Sequence, residues 1–260
     1  MVDLTLSSAE LANRRERITA FIADCVADAG ATGAVIGLSG GIDSSLTAAL
    51  AVEALGTDRV TAHTFPESVT SQQSRTDVAA VADHLGISCP TIEITPIVDS
   101  IIRQSPFDDV SGRTRGNASA RTRAVLSYLV ANEREQIVLG TGNRSEALIG
   151  YFTKYGDGAV DCHPIGNLYK SQVRQLAEAM DIPQSIIEKP PTAELWADQT
   201  DEDELGISYD ILDQILALHV DGSLSRSATA EAVGCTIDAV THVDSLVEQS
   251  AHKRTVPPSP

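Results

Sequence analysis

The sequence is poor in lysine and strongly acidic. Only four of its 260 residues are lysines, and 36 acidic side chains outnumber 19 lysines and arginines, which gives a formal net charge of −17. A chain this acidic offers no basic face for the phosphate backbone of a nucleic acid, so we expect no nucleic-acid partner. Because concentrated salt screens repulsion between surface charges, the same composition predicts a halophilic, salt-accumulating host. Where lysine is this scarce, each one becomes a candidate for a specific role, and the four are Lys154, Lys170, Lys189 and Lys253.

Paired cysteines and long apolar runs are also missing. The four cysteines are widely separated and include no C-x-x-C pair: Cys25, Cys89, Cys162 and Cys235. We therefore expect reduced thiols rather than a disulfide framework or a zinc site. No apolar run approaches the roughly 20 residues that span a membrane, and the start of the chain has no basic segment followed by an apolar one. These absences predict a cytoplasmic protein with no membrane partner.

Short apolar runs alternate with helical periodicity as far as residue 167, and helical patterns follow. Strands are predicted at residues 34–38, 60–65, 87–94 and 136–140, and helices at 11–26, 44–55, 71–85, 118–133, 168–180, 209–218, 228–233 and 237–248. Strands separated by helices predict an α/β fold with a doubly wound, Rossmann-like parallel sheet. We divide this single domain into an N-terminal helix (1–30), an α/β nucleotide-binding core (31–167) and a helical C-terminal part (168–260).

A glycine-rich turn follows the first predicted strand and reads Ser39-Gly40-Gly41-Ile42-Asp43-Ser44-Ser45. Glycines at positions 40 and 41 allow the backbone to approach an anion closely, and the following helix adds N–H donors and its positive dipole end. Asp43 is suited to holding Mg²⁺. The pattern therefore predicts a phosphate-binding loop, although the same residues also make an ordinary turn and helix cap that binds nothing.

A second polar turn, residues 140–146, follows the last predicted strand. Its Thr141 offers a hydroxyl to a nucleotide, and Glu146 offers a second oxygen ligand for Mg²⁺ beside Asp43. Glu146 has an alternative role as a first-turn carboxylate that complements a helix dipole. Lys170 begins another predicted helix, where a lysine is electrostatically misplaced unless an anion lies beside it, so we predict contact with ATP phosphates.

A lid is predicted at residues 151–161, because this loop combines two glycines with Lys154 and Asp161. Its alternative is a plain surface loop. In the preceding helix, Asn117 and Arg121 lie four residues apart and share one face, whereas Arg123 points elsewhere. Further on, Pro190 and Pro191 stiffen the approach to Thr192. The basic island of residues 251–254 is either an anion contact or a partner for the preceding helix dipole.

The glycine loop resembles the pyrophosphate loop of the N-type ATP pyrophosphatases, which split ATP into AMP and pyrophosphate while adenylating a substrate. The segments Gly-Tyr-Phe-Thr-Lys-Tyr-Gly-Asp-Gly and Lys-Pro-Pro-Thr-Ala-Glu-Leu-Trp further resemble the ammonia-dependent NAD synthetases, over about residues 37–254. Two features depart from that family: the acidic stretch Thr64-Phe65-Pro66-Glu67, and a short tail beyond Arg254.

The resemblance implies three sets of site residues. ATP would contact Gly37, Leu38, Ser39, Gly40, Gly41, Ile42, Asp43, Ser44, Thr141, Lys170 and Thr192. Mg²⁺ would be held by Asp43 and Glu146. Nicotinic acid adenine dinucleotide, called deamido-NAD, would contact Arg121, Lys154, Asp161, His252 and Lys253, with Lys170 and Asp161 as catalytic groups. The family is homodimeric, and its dinucleotide site lies near the subunit interface.

The implied activity is ATP-dependent amidation of deamido-NAD through an acyl-adenylate, with ammonia as the nitrogen source because the sequence shows no glutaminase domain. Two other classes share the glycine loop. A GMP synthetase-type amidase or a tRNA thiolase would lack the lid at 151–161, and a thiolase would also need paired cysteines and a basic face. A non-catalytic nucleotide sensor would not need both Asp43 and Glu146 or a mobile lysine lid.

Overall fold

The structure has three of the four predicted strands, with helices between them. The computed structural model describes residues 4–192 and 200–259. Its strands are β1 (Ala34–Gly37), β2 (Val60–His63) and β3 (Ile137–Val138). Its helices are α1 (Ser8–Asp28), α2 (Ile42–Leu55), α3 (Gln72–Leu85), α4 (Thr95–Arg103), α5 (Gly112–Arg134), α6 (Arg144–Ile149), α7 (Lys170–Ala179), α8 (Gln184–Ile187), α9 (Asp201–Leu205), α10 (Tyr209–Ile215), α11 (Arg226–Val233) and α12 (Ile237–Ser250). Every predicted helix is present, although α5 begins six residues before its predicted start. Four helices were not predicted: α4, α6, α8 and α9.

Side-chain caps set several of these ends. Ser7 caps α1 in a capping box with Glu10. Ser111 accepts a hydrogen bond from the Thr114 N–H, so α5 begins earlier than the predicted residue 118. A π-helical turn, Leu216–Val220, continues α10, and a 3-10 turn, Ala251–Lys253, continues α12. Within residues 4–192 and 200–259, no helix is both long and apolar enough to cross a membrane.

The sheet is parallel and has the strand order β2-β1-β3. Alternate residues of β1 face opposite layers of helices. Ala34 and Ile36 pack in the cluster formed with α1, α2, α3 and α7, whereas Val35 packs with Val138 and with Ala131 of α5. Helices on both faces bury both sides of the strands, which confirms the predicted α/β fold.

The prediction of a strand at 87–94 is wrong. Only Thr91 of this segment forms a bridge, with Thr64, just beyond the end of β2. The Thr64 N–H donates to the Pro90 carbonyl, and the Ile92 N–H donates to the Thr64 carbonyl. Pro90 has no N–H to continue a ladder, so the apolar residues 87 and 94 are buried without forming a strand.

A second hydrophobic cluster lies beside the sheet layer and joins α6 to α9, α10, α11 and α12. Its largest fully buried side chain is Tyr209. Helix α7 follows the predicted start of the helical part, yet Val173 and Leu176 pack with the sheet. The division of the chain at residue 168 therefore stays a prediction, and α7 lies between the two clusters at the carboxyl end of the strands.

Candidate active site

The glycine loop lies between β1 and α2 and is shaped by its own hydroxyls. Ser44 Oγ lies 3.1 Å from Ser39 Oγ and donates to the Gly41 carbonyl, and the Gly41 N–H donates to Ser39 Oγ. Among the described residues, no side chain caps the first turn of α2. The N–H groups of that turn therefore remain available to an anion.

Gly40 has a positive φ of +78° and rests against α3. A Cβ at this position would lie 2.6 Å from the Ser74 carbonyl oxygen and 3.0 Å from Asp77 Cβ. Both the conformation and the close approach exclude larger side chains. The turn is consequently a built part of the fold rather than an interchangeable surface loop.

Three charged side chains meet next to this loop. Lys170 Nζ lies 2.5 Å from Asp43 Oδ2 and 3.2 Å from Glu146 Oε1. The lysine side chain is only 3% exposed, and the carboxylates are 18% and 16% exposed. The sequence predicted an anion beside Lys170, and in the structure that anion is this carboxylate pair.

The electrostatics follow from burial and from this pairing. Burial opposes the charge of Lys170, but the carboxylates of Asp43 and Glu146 outweigh it and raise the lysine pKa. Burial raises the pKa of Glu146 to about 8, an effect that the nearby lysine opposes and the charge of Asp43 reinforces. Two carboxylates so close together favour a cation between them.

Helix α6 places Glu146 through its own first turn. Asn143 and Glu146 form a capping box, and Asn143 Nδ2 also donates to Asp43 Oδ1 at 2.8 Å. Glu146 thus serves the helix cap through Oε2 and faces Lys170 through Oε1. Glu146 is therefore a first-turn carboxylate of α6, one of the two roles that the sequence left open, and its role as a Mg²⁺ ligand stays a prediction.

Asp213, which sequence reasoning missed, links α6 to α7. It is fully buried and accepts a hydrogen bond from Ser145 Oγ at 2.5 Å and another from the Ser171 N–H at 2.8 Å. Ser145 Oγ also accepts from the Lys170 N–H. The sequence did contain a sign that Asp213 is buried. Tyr209, Asp213 and Leu216 are spaced four and three residues apart, so they share the buried face of this helical segment.

Asp201, also missed, lies behind Lys170. Its carboxylate accepts hydrogen bonds from the hydroxyls of Tyr151 at 3.0 Å and Tyr209 at 3.2 Å. The Tyr209 ring lies under the lysine, with Nζ 5.3 Å from the ring centroid. Burial raises the pKa of Asp201 and the charge of Lys170 opposes this. Nothing in the acidic run of residues 201–204 distinguishes the buried carboxylate from solvated neighbours.

The donor set of Asp43 and Glu146 fits a divalent cation. Hard carboxylate oxygens are the ligands that Mg²⁺ prefers, and it completes its shell with water and phosphate oxygens. Both carboxylates already converge on one cationic group. No cluster of three or more His, Cys, Asp or Glu side chains suited to a metal occurs in residues 4–192 and 200–259.

The predicted lid folds between α5 and the C-terminal island. Thr153 Oγ1 donates to Asn117 Oδ1 at 2.8 Å, and Arg121 Nη2 donates to the Lys154 carbonyl at 3.2 Å. Asn117 and Arg121 therefore share a face, as predicted, while Arg123 donates to the Phe65 carbonyl on another side. Lys154 Nζ donates to the His252 carbonyl and lies over the Tyr155 ring.

The remaining predicted residues have surroundings of their own. Asp161 accepts hydrogen bonds from the Val138 N–H at 2.7 Å and the Tyr128 hydroxyl at 3.1 Å, at the end of β3. Thr141 and Thr192 are partly buried. Lys189, which Pro190 and Pro191 connect to Thr192, donates to Ser74 Oγ and Asp77 Oδ2 on α3. The rest of that motif, residues 193–196, lies outside the described residues.

The arrangement suits a nucleoside polyphosphate held through its phosphates, with a divalent cation at the carboxylate pair, and so defines a nucleotide-dependent α/β enzyme. The family model described as NAD synthase matches residues 14–257. The chain belongs to the NAD synthase family, whose members carry out the final ATP-dependent amidation in NAD biosynthesis. It is accordingly an amide-forming ligase with an ATP-binding fold.

Individual relatives agree with this assignment. An NH3-dependent NAD(+) synthetase of Halobacterium salinarum is 52% identical over all of this chain and 97% of its own length. One from Methanosarcina mazei is 46% identical over 96% of this chain and 98% of its own length. Among solved structures, an NMN synthetase from Francisella tularensis has a TM-score of 0.85 at 33% identity, covering 98% of this chain and 99% of its own. An NH3-dependent NAD synthetase from Campylobacter jejuni has a TM-score of 0.79 at 29% identity, covering 96% and 98%.

Proposed function

We propose that this enzyme converts deamido-NAD to NAD with free ammonia and ATP, and that the glycine loop of residues 37–44 holds the pyrophosphate that leaves. The observation that carries the proposal is the lysine cluster, in which Lys170, Asp43 and Glu146 converge beside an uncapped helix N-terminus. An anion bound there would meet N–H donors, a buried ammonium group and, when present, a divalent cation.

The chemistry needs a leaving group rather than a protein nucleophile. The nicotinate carboxylate oxygen attacks the α-phosphorus of ATP and expels pyrophosphate, which forms an acyl-adenylate. Ammonia then attacks the carbonyl carbon, loses a proton and displaces AMP. The protein aligns two anions and neutralises phosphate charge. Lys170 is placed to neutralise that charge. Its ammonium group now pairs with Asp43 and Glu146, and a metal ion bound to these two carboxylates would leave the ammonium group free to contact phosphate oxygens.

Mg²⁺ belongs to the proposal as a partner of ATP. Asp43 and Glu146 would hold it, and when bound it would neutralise phosphate charge as pyrophosphate leaves. Lys170 now lies between these two carboxylates. We expect a divalent cation to take over that pairing and to free the ammonium group for phosphate oxygens.

The dinucleotide acid would bind on the lid side. Arg121 and Lys154 meet at the lid, with His252 and Lys253 across from it. Asp161 would accept a hydrogen bond or orient ammonia, and Thr141 and Thr192 would contact ATP. A cytoplasmic location is part of the same proposal, since ATP is the co-substrate.

One assay tests the reaction and its closest rival. The purified protein is incubated with ATP, Mg²⁺, ammonium and deamido-NAD, and NAD, AMP and pyrophosphate are measured. We expect the three products in equal amounts; ADP as the product, or no turnover, contradicts the proposal. Because the Francisella neighbour is an NMN synthetase, a second arm replaces deamido-NAD with nicotinic acid mononucleotide. A higher kcat/KM in that arm would make mononucleotide amidation the main activity.

A homodimer is proposed through α5. Val125 and Leu129 are 67% and 64% exposed and lie four residues apart. They continue the face that carries Arg121, so a dimer formed here brings the dinucleotide contacts near the interface. Sedimentation of the wild type should give a dimer and that of a Val125→Asp/Leu129→Asp variant a monomer. A wild-type monomer at assay concentration contradicts this part.

A halophilic host is proposed from the charge of −17 and the four lysines. We expect activity and native circular dichroism to increase with KCl toward molar concentrations, because salt screens the repulsion between carboxylates. Retention of the native spectrum in salt-free buffer, with no gain of activity in KCl, contradicts the idea.

A further inference from the structure

The sequence placed Arg254 in the basic island of residues 251–254, as either an anion contact or a partner for the preceding helix dipole. In the structure its guanidinium contacts the end of that preceding helix, α12, and also the end of α6. One of its nitrogens, Nη1, donates to the Leu148 carbonyl of α6 at 2.5 Å and to Ser250 Oγ at 2.7 Å. Its other nitrogen, Nη2, donates to the Val247 carbonyl of α12 at 2.7 Å. A cation on the last carbonyls of a helix satisfies unpaired acceptors and complements the dipole.

Lys253 and Gly150 form further contacts where the C-terminal ends of α6 and α12 meet, which we call the Gly150 joint. Lys253 Nζ donates to the Gly150 and Phe152 carbonyls at 2.7 and 2.8 Å. Gly150 ends α6 with a φ of +70°, and a Cβ on it would lie 2.1 Å from Ser250 Cβ. The backbone where α6 passes into the lid is therefore pressed against the end of α12 and is held there by two cationic side chains.

Helix α6 thus connects the two halves of the site. Its first turn carries Glu146, which faces Lys170, and its last turn passes through Gly150 to Lys154 on the lid. The first turn is fixed independently by Asn143 and by Ser145, whose partners are Asp43 and Asp213. The C-terminal island contacts the later part of the helix, at the carbonyls of Ala147, Leu148 and Gly150.

We propose that Arg254 is a positioning residue for the lid: by joining the C-terminal ends of α6 and α12, it fixes the Gly150 joint and so sets where Lys154 meets the dinucleotide acid. The inference rests on the proposed function for the identity of that ligand. It assigns Arg254 to the lid side of the reaction and not to ATP, because the glycine loop and Glu146 have separate supports.

The test compares Arg254→Gln with Arg254→Lys and with Arg103→Gln, an exposed arginine on α4 that serves as the matched control. In Arg254→Gln we expect the KM for deamido-NAD to rise about fivefold or more while the KM for ATP and kcat change less than about twofold. In Arg254→Lys we expect a smaller rise in the KM for deamido-NAD, because lysine keeps the positive charge but lacks the two guanidinium nitrogens that contact both helices. Arg103→Gln should match the wild type.

A second readout needs no activity. A protease that cleaves after lysine has only four sites in this chain, of which Lys170 is buried and Lys189 precedes a proline. Cleavage after Lys154 splits the chain near its middle and reports lid opening in the folded protein. We expect it to be about fivefold or more faster in Arg254→Gln than in the wild type and in Arg103→Gln, because local opening controls the rate.

The outcomes separate the possibilities. Unchanged KM for deamido-NAD with unchanged cleavage overturns the inference, and so does an equal rise in both KM values, which would indicate a general loss of structure. If the wild type makes no NAD, the proposed function fails, while the cleavage rates still decide whether Arg254 holds the lid.

Discussion

The two halves of the site, around the glycine loop and around the lid, differ in the contacts that hold their charged side chains in place. On the side of the glycine loop, where we propose that ATP binds and which we call the ATP side, Lys170 pairs with the charged side chains of Asp43 and Glu146 in a buried cluster. On the lid side, cations bond to neutral main-chain carbonyls: Lys154 to His252, and Lys253 to Gly150 and Phe152.

This difference has consequences for ligand binding. A buried lysine between two carboxylates is released only when another cation replaces it, since an unpaired buried charge is costly. The Lys154 ammonium gives up only a contact with the neutral His252 carbonyl when a substrate anion arrives, whereas Arg254 keeps its contacts at the ends of α6 and α12. We infer that the ATP side is organised before substrate binds, and that the lid side adjusts when the dinucleotide acid enters.

The strongest test of the organised side is Asp43→Asn. The change keeps the shape and the acceptor for Asn143 but removes one charge from the cluster. Transition-state charge on the phosphates then loses stabilisation, so we expect kcat to fall by at least about 100-fold. Near-wild-type turnover would remove Asp43 from the metal site.

The control for this variant is Asp58→Asn, an exposed aspartate in the 3-10 turn before β2. It loses the same charge away from the site and should keep wild-type kcat. Far-ultraviolet circular dichroism of both variants checks that the fold is intact.

A glycine pair tests whether the ATP side is rigid. Gly40 and Gly30 both have positive φ, but a Cβ on Gly40 meets the Ser74 carbonyl at 2.6 Å and one on Gly30 meets nothing within 4 Å. Alanine at either position costs about 1–2 kcal/mol of backbone strain. Only Gly40→Ala must also shift the loop, so we expect its kcat/KM for ATP to fall about 30-fold.

Gly30→Ala should lose stability, measured by urea unfolding, and keep its kcat/KM. Equal kinetic losses in both variants would mean that strain alone, and not the packing of the loop on α3, explains the effect. A loop that tolerates Gly40→Ala would weaken the contrast between an organised ATP side and an adaptable lid.

Local patterns were sufficient to predict most of the fold. The predicted helices, β1, β2 and the glycine loop depend on caps, periodicity and glycines that lie within a few residues of one another. The start of α5 was nevertheless predicted six residues too late, because its cap at Ser111 was not recognised. The strand prediction at 87–94 failed because the apolar content of that run outweighed Pro90. A backbone donor missing at one position decided the pairing.

The site was predicted less completely, because its partners are distant in sequence. Lys170 was recognised from its misplacement at a helix start, but the sequence could not say whether its anion was a ligand or a carboxylate 127 residues away. Lys253 was expected to contact deamido-NAD, and that role stays a prediction beside its bonds to two carbonyls. Asp201 went unrecognised because its burial depends on two tyrosines, Tyr151 and Tyr209, from other segments.

The smallest expected effect concerns Lys189, the counterpart of Arg254 on the ATP side. Lys189 Nζ bonds to Asp77 Oδ2 at 2.9 Å and Ser74 Oγ at 2.7 Å, on the helix against which Gly40 rests. Lys189 is followed in the chain by Pro190, Pro191 and Thr192, so its contacts with α3 hold this segment near the glycine loop. We expect Lys189→Met to raise the KM for ATP about threefold and to leave the KM for deamido-NAD within about twofold of the wild type.

Loss of Lys189 also removes the ammonium partner of the buried Asp77 carboxylate, which keeps the hydrogen bond from the Gln73 amide, so the free energy of unfolding falls. The double variant Lys189→Met/Asp77→Asn removes that charge and serves as the control. If its KM for ATP stays raised while its unfolding free energy recovers, the contacts of Lys189 with α3 position the nucleotide. If Lys189→Met raises the KM for deamido-NAD as Arg254→Gln is expected to do, the two halves are not anchored separately, and the contrast between them fails.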